Sequence, residues 1–239
     1  SYFPKYLKRV GVEPASNINW NSVDKSIDII NDFFPSKKFT HHIKKKKVKI
    51  FTSCAMFYDL ERPNLFVKSI KKNLDKEGVW CIQLSYVLLM IKNLNFYDIC
   101  HEHLEYYSLK SLEYLMNKHG LEIIHAETNN VNGGSALVFI KHKTKQNKKT
   151  KEYKRIISIE RKMNLSSTTV YKNFYKNMNI LSSKVIKFIK SQLIEKKLVI
   201  GLGASTKGNI LLQFFGISKK MLPYISEKQK IKVGLKTLG

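Results

Sequence analysis

The sequence predicts an α/β protein with a mainly parallel sheet and helices on its faces. Three observations carry that expectation. β-prone apolar runs alternate with helix-periodic segments through the first half of the chain. The residues richest in ionisable chemistry fall just after the predicted strands, where open α/β sheets place their ligands. A small-residue turn, Gly201–Asn209, lies between a β-prone run and an apolar helical one.

Taken in order, Arg9–Glu13 reads as a strand ending in an acid before Pro14. Ser26–Asn31 reads as another, ending at Asp32-Phe33-Phe34. Val48–Ala55 is apolar and β-prone, and Leu65–Leu74 has helical spacing with a stop expected at Gly78. Val79–Leu84 is a buried-strand pattern. Leu109–His119 is helical and closed by Gly120. Leu121–Ala126 and Ser135–Lys141 read as paired strands around Asn132-Gly133-Gly134. His142–Lys154 is polar and basic, a domain boundary. Thr168–Lys196 then repeats apolar residues at helical spacing, from Tyr171, Phe174, Tyr175 and Met178 through Leu181, Val185, Phe188, Ile189 and Leu193. That pattern reads as a helix facing a core. Leu198–Gly201 is a strand and Gly208–Phe215 the helix after it. The expected domains are residues 1–143, a linker with the long helix at 144–197, and the start of a second α/β domain at 198–239.

The 239 residues suffice for one large or two small domains. No apolar run reaches the roughly 18–20 residues of a membrane span, and residues 1–5 lack a charged-then-apolar signal pattern. Cys54, Cys81 and Cys100 are odd in number and far apart. They argue against a disulfide framework and a cysteine zinc site, and for a reducing, cytoplasmic setting. The formal charge of +25 raises the question of a nucleic-acid partner. Lysine supplies most of it, with little of the bidentate fork chemistry that favours phosphate recognition, so nucleic acid is not the expected partner. The run at 44–47 reads as a solvated loop.

Cys100-His101-Glu102-His103-Leu104-Glu105-Tyr106-Tyr107-Ser108 concentrates imidazoles, carboxylates and phenols in one loop. His101 and His103 stand two apart. That is not the His-Glu-x-x-His arrangement of a zinc hydrolase, and no other pair completes a tetrahedral set, so no metal is expected. Gly201-x-Gly203-x-x-x-x-Gly208 departs from the strict G-x-G-x-x-G spacing; it suits either a phosphate at a helix N-terminus or a tight strand-to-helix turn. Asn132-Gly133-Gly134 suits a hairpin turn.

In order along the chain, five segments resemble the S-adenosylmethionine-dependent sugar C-methyltransferases. They are Gly11–Asn17, Asp32-Phe33-Phe34, Phe96–Leu109, Asn132-Gly133-Gly134-Ser135 and Gly203-Ala204-Ser205-Thr206-Lys207-Gly208-Asn209. The resemblance implies a Rossmann-like class I methyltransferase sheet followed by a second Rossmann-like domain. It also implies S-adenosylmethionine as cofactor and a nucleotide-linked keto sugar as substrate. Family members carry a cysteine-rich zinc module and a glycine-rich first strand upstream, so the chain is expected to be an internal piece of a longer enzyme. They carry Tyr where this chain has Cys100.

The resemblance assigns roles. Glu13 is placed to accept from both ribose hydroxyls, a task suited to a carboxylate's two oxygens, and the other reading is an ordinary strand-end acid. Asp32 accepts from the adenine amino group under Phe33, or starts a turn before Pro35. Carbon methylation requires a base and a stabilised enolate. His103 is the expected base, with Glu102 orienting it or hydrogen-bonding the sugar, His101 and Tyr106 or Tyr107 donating to the enolate oxygen, and Tyr107 on the substrate. Asn132, Gly133 and Gly134, with Gly203, Ala204, Ser205, Thr206, Lys207 and Asn209, are expected to hold the substrate and its diphosphate. Two rival readings are methylation of oxygen on another acceptor, and a basic nucleotide- or RNA-binding module without catalysis.

Overall fold

The computed structural model describes residues 4, 6–44 and 46–237. The expectations at residues 1–3 and 5, at Lys45 in the lysine run, and at 238–239 lie outside the described residues. The first pair of strands, β1 (Arg9–Val12) and β2 (Ile27–Ile30), is parallel, with Val12 opposite Ile30. Helix α1 (Lys37–His42) follows, capped by the Ser36 hydroxyl on the Phe39 N–H.

The main sheet begins with β3 (Val48–Cys54). Helix α2 (Pro63–Asn73) leads into β4 (Leu74–Ser85), which pairs parallel with β3. Helix α3 (Val87–Lys92), a long loop, and α4 (Leu109–Lys118) follow. Strands β5 (Leu121–Asn129) and β6 (Ser135–His142) form an antiparallel hairpin, and β6 also pairs antiparallel with β4. The strand order is β3-β4-β6-β5. The α/β class holds, but this sheet is mixed where a mainly parallel one is expected, because the hairpin brings its second strand back beside β4.

Inward residues on β4, Trp80, Ile82 and Leu84, alternate with half-exposed neighbours, as the period of a strand demands. They pack with Ile123, Val138 and Ile140 beneath Phe66, Val67 and Ile70 of α2 and Leu112, Leu115 and Met116 of α4. Helix α2 does not run to Gly78. It stops at Asn73, and Leu74 already pairs with Val48. Between Leu74 and Val79 the register shifts, and a side chain on Gly78 would meet Leu74 Cδ1 at 2.7 Å and the Val48 carbonyl at 3.0 Å. The glycine therefore permits close approach of two strands and does not end a helix.

Helix α5 (Lys151–Met163) lies beyond the basic loop and has no counterpart in the expected elements. Its Tyr153 and Ile156 belong to the main core. Helix α6 (Thr168–Ile194) has the expected length, yet only Phe174, Met178 and Ile189 of its apolar series are buried. Tyr175 is 61% exposed and Phe188 64%. The helix touches its neighbours along a stripe narrower than its apolar face. Strand β7 (Ile200–Leu202), helix α7 (Thr206–Phe215) and strand β8 (Tyr224–Ser226) form one βαβ unit with parallel strands. Phe96 joins α3, α6 and α7 in a second cluster, lying 4.8 Å from Phe214 and 5.8 Å from Phe215 between ring centroids.

Candidate active site

Three loops meet at one end of the main sheet. The turn Phe57–Asp59 follows β3, the segment 86–108 follows β4, and the turn 130–134 enters β6 where Ser85 faces Ser135. His103 sits in the second loop, half-buried, its main-chain N–H donating to the Cys100 carbonyl at 3.2 Å. Its ring lies against Tyr58 with centroids 4.4 Å apart and planes at 60°. The Glu105 N–H donates to the Tyr58 carbonyl at 3.0 Å, so the loop is fastened to the Phe57–Asp59 turn two residues after His103.

Asp59 is the residue that sequence reasoning missed here. Partial burial pushes its carboxyl up, His103 opposes that shift and Glu102 reinforces it. The three groups therefore share one electrostatic neighbourhood. Glu102 itself is held below the usual range by its own backbone N–H and then by the Cys100 thiol, and faces solvent. The Cys100 thiol is pushed up by burial and stays neutral. The His101 side chain is 90% exposed, 3.4 Å from Glu102, and does not meet the imidazole–phenol pair. The Tyr106 hydroxyl donates to the Asp98 carbonyl at 3.4 Å. Tyr107 turns inward against Phe57, and its hydroxyl is buried with no hydrogen-bond partner among the described residues. Only one of the two phenols thus borders the loop surface.

Lys207, from the first turn of α7, reaches this loop. Its Nζ lies 2.6 Å from Oδ1 of Asp98, a residue only 2% exposed, and 3.3 Å from the Asn132 carbonyl. It also stands 5.2 Å from the centre of the Tyr97 ring. The Asp98 contact is an ion pair without aligned hydrogen-bond geometry. The amide groups of Asn93 and Asn95 donate to the Gly133 carbonyl, and the Tyr97 hydroxyl donates to Asn95 Oδ1 at 2.9 Å. Gly133 has φ +88°, and a side chain there would meet the Tyr97 hydroxyl at 2.8 Å. The turn 132–134, the segment 95–98 and Lys207 are thereby brought into one assembly.

The remaining turn residues are partly engaged within their own unit. Ser205 caps α7 by accepting from the Gly208 N–H at 3.0 Å. The Ala204 N–H donates to Glu227 Oε2 at 2.8 Å, and the Gly203 N–H to the Ser226 carbonyl at 2.8 Å. Asn209 Oδ1 is buried with no partner among the described residues. The N–H groups of Thr206 and Lys207 head the helix, where its dipole favours an anion.

Glu13 and Asp32 end the paired strands β1 and β2 side by side, and the Asn31 amide ties them by donating to the Glu13 carbonyl at 2.8 Å. One Glu13 oxygen accepts from the Ala15 N–H at 2.9 Å; Asp32 Oδ1 accepts from the Phe33 N–H at 2.9 Å. Phe33 is 74% exposed beside them, while Phe34 is packed against Phe39 and Phe66. Two carboxylates and an uncovered ring thus lie together at one strand edge. No group of three or more His, Cys, Asp or Glu suited to a metal occurs among the described residues. None of the helices searched is long and apolar enough to cross a membrane.

Residues 130–239 match the C-methyltransferase C-terminal domain family. Across 229 residues the chain is 25% identical to C-methyltransferase NovU of Streptomyces niveus, covering 94% of this chain and 54% of that protein. The chain thus spans about half the length of the curated relative it matches. A solved SAM-dependent methyltransferase from Anabaena variabilis ATCC 29413 aligns with TM-score 0.45 and 11% identity over 57% of this chain and 68% of that one. The plantazolicin methyltransferase BpumL aligns with TM-score 0.41 and 11% identity over 57% and 68%. Alignments of that size carry no weight for function. The matched segment holds Asn132–Gly134 and Lys207, whereas His103 lies outside it, on the loop whose Asp98 meets Lys207.

Proposed function

We propose that the chain is part of an S-adenosylmethionine-dependent methyltransferase that methylates carbon on a nucleotide-linked keto sugar. The observation that carries the reading is His103, backed by Tyr58 and flanked by Asp59 and Glu102 at the loop-bearing end of the sheet. The family of the C-terminal segment and the C-methyltransferase name of the relative support it.

In this reading the neutral imidazole takes the proton from the carbon beside the ketone, and the C–H electron pair moves into the enolate. Tyr106 borders the same loop, its phenol pushed up by burial and so retained as O–H; turned from the Asp98 carbonyl, that O–H donates to the enolate oxygen. Carboxyl groups at 59 and 102 favour the imidazolium that results. S-adenosylmethionine, held by Glu13, Asp32 and Phe33, supplies when bound a sulfonium-activated methyl group for that carbon. The sugar's diphosphate lies at the head of α7, where it competes with Asp98 for Lys207.

The test is turnover by the full-length protein on nucleotide-linked keto sugars. His103→Ala should lower kcat by about 100-fold or more, while S-adenosylhomocysteine binding by calorimetry stays within about threefold of the parent, because His103 is assigned to acceptor chemistry. Unchanged turnover would reject the base assignment. Salt-sensitive binding of generic RNA with no turnover in either protein would favour the basic binding module.

A further inference from the structure

The loop that carries His103 leaves the sheet at Tyr86 and returns at Leu109, and both feet are fastened at one place. The Val87 N–H donates to the Tyr107 carbonyl at 3.2 Å, closing the loop at its base. Beside that bond sits Glu160 of α5, only 5% exposed. Its Oε1 accepts from the Tyr86 hydroxyl at 2.5 Å and from the Leu109 N–H at 2.5 Å, and its Oε2 accepts from the Lys110 N–H at 3.2 Å. One side chain thus grips the outgoing foot through a phenol and the returning foot through two amides.

The carboxylate has a physical reason to be there. The first N–H groups of a helix have no partner within it, and the positive end of the dipole favours an anion. Helix α4 already has the Ser108 cap, in which the Ser108 and Ser111 side chains satisfy one another's backbone N–H groups. A single cap suffices for an ordinary surface helix, so the buried acid adds a tie from α5 across to β4. Its second partner, Tyr86, is 1% exposed, and burial followed by the Glu160 charge holds its phenol far above the ordinary range as a donor.

We propose that Glu160 is a positioning residue for the His103 loop: by holding Tyr86 and the head of α4 together, it sets where the chain between them, and the imidazole on it, can stand against Tyr58. The catalytic consequence rests on the proposed function; the mechanical one does not. Glu160→Gln keeps an acceptor for Tyr86 and Leu109 but sets an amide donor against the Lys110 N–H. Tyr86→Phe keeps the buried ring and removes only the phenolic tie.

Hydrogen exchange by mass spectrometry on the full-length protein separates the two claims. In Glu160→Gln, amides at 98–112 should exchange about tenfold faster or more, with β5 and β6 unchanged; Tyr86→Phe should show a smaller rise at the same amides. Turnover should fall by about tenfold in Glu160→Gln with S-adenosylhomocysteine affinity within about twofold, a loss in kcat and not in cofactor binding. Unchanged exchange at 98–112 in both variants overturns the proposal, as does a uniform rise across the sheet. Local loosening with undiminished turnover overturns its catalytic half. Absence of turnover in the unsubstituted protein counts against the proposed function alone, and the exchange result still decides the mechanical half.

Discussion

Lys207, at the head of α7, closes onto the buried carboxylate of Asp98 with 2.6 Å between Nζ and Oδ1, linking the βαβ unit at the end of the chain to the loop that carries His103. Asp98 lies five residues before His103 in sequence. Phe96, two residues earlier still, is seated between Phe214 and Phe215 of the same helix. The placement of α7 is therefore set by an apolar plug and a charge pair close together. The ammonium expected to meet a diphosphate already has an anionic partner.

Removing that ammonium should be costly. Lys207→Met leaves the Asp98 charge buried without a counterion, and unfolding in urea should show a loss of about 1–3 kcal/mol. The figure is below the 3–5 kcal/mol of fully buried pairs because the lysine side chain is 39% exposed. Asp98→Asn in the Lys207→Met background should recover part of the loss. A loss under about 0.5 kcal/mol in the single variant would show that the pair contributes nothing.

Gly133→Ala strikes the same assembly from the other side. The residue has φ +88°, and the new methyl would sit 2.8 Å from the Tyr97 hydroxyl and 2.9 Å from the Asn95 amide nitrogen. Destabilisation of about 1–3 kcal/mol is expected from backbone strain and displaced hydrogen bonds. An alanine variant as stable as its parent in the same urea measurement would contradict the described contacts.

Asp59 gives a pH signature. Its folded carboxyl is raised from 3.8, so in the window just above 3.8 the folded state binds more protons than the unfolded one. Stability from this group therefore falls as pH rises through that window. Asp59→Asn should remove this fall, and its melting temperature near neutral pH should gain on the parent by an amount of order 1–2 °C. A parallel pair of melting curves from pH 4 to 7 would refute it.

Much of the framework was legible from periodicity and turn chemistry. Strands at Arg9, Ile27 and Val48, the helix closed by Gly120 and the hairpin at 132–134 all lie where pattern places them. What pattern could not reach was tertiary. Helix α5 hides behind a lysine-rich approach, and its buried face mixes Tyr153 and Ile156 with the acid Glu160, which carried no apolar signal. Tyr58 and Asp59 look like an ordinary turn until the loop after β4 folds over them. Gly78 looks like a helix stop because its close contact with the Val48 carbonyl arises only once two strands pair. His101 and Tyr107 lie in the same ionisable segment as His103, yet the first faces solvent and the second is buried in the core.

The most direct measurement follows the hydrogen that His103 is said to remove. Full-length protein with S-adenosylhomocysteine and a nucleotide-linked keto sugar in D2O should exchange the hydrogen beside the ketone, seen as loss of its proton NMR signal. His103→Ala should slow that exchange by about 100-fold or more. Exchange at the parent rate in the variant would contradict the account.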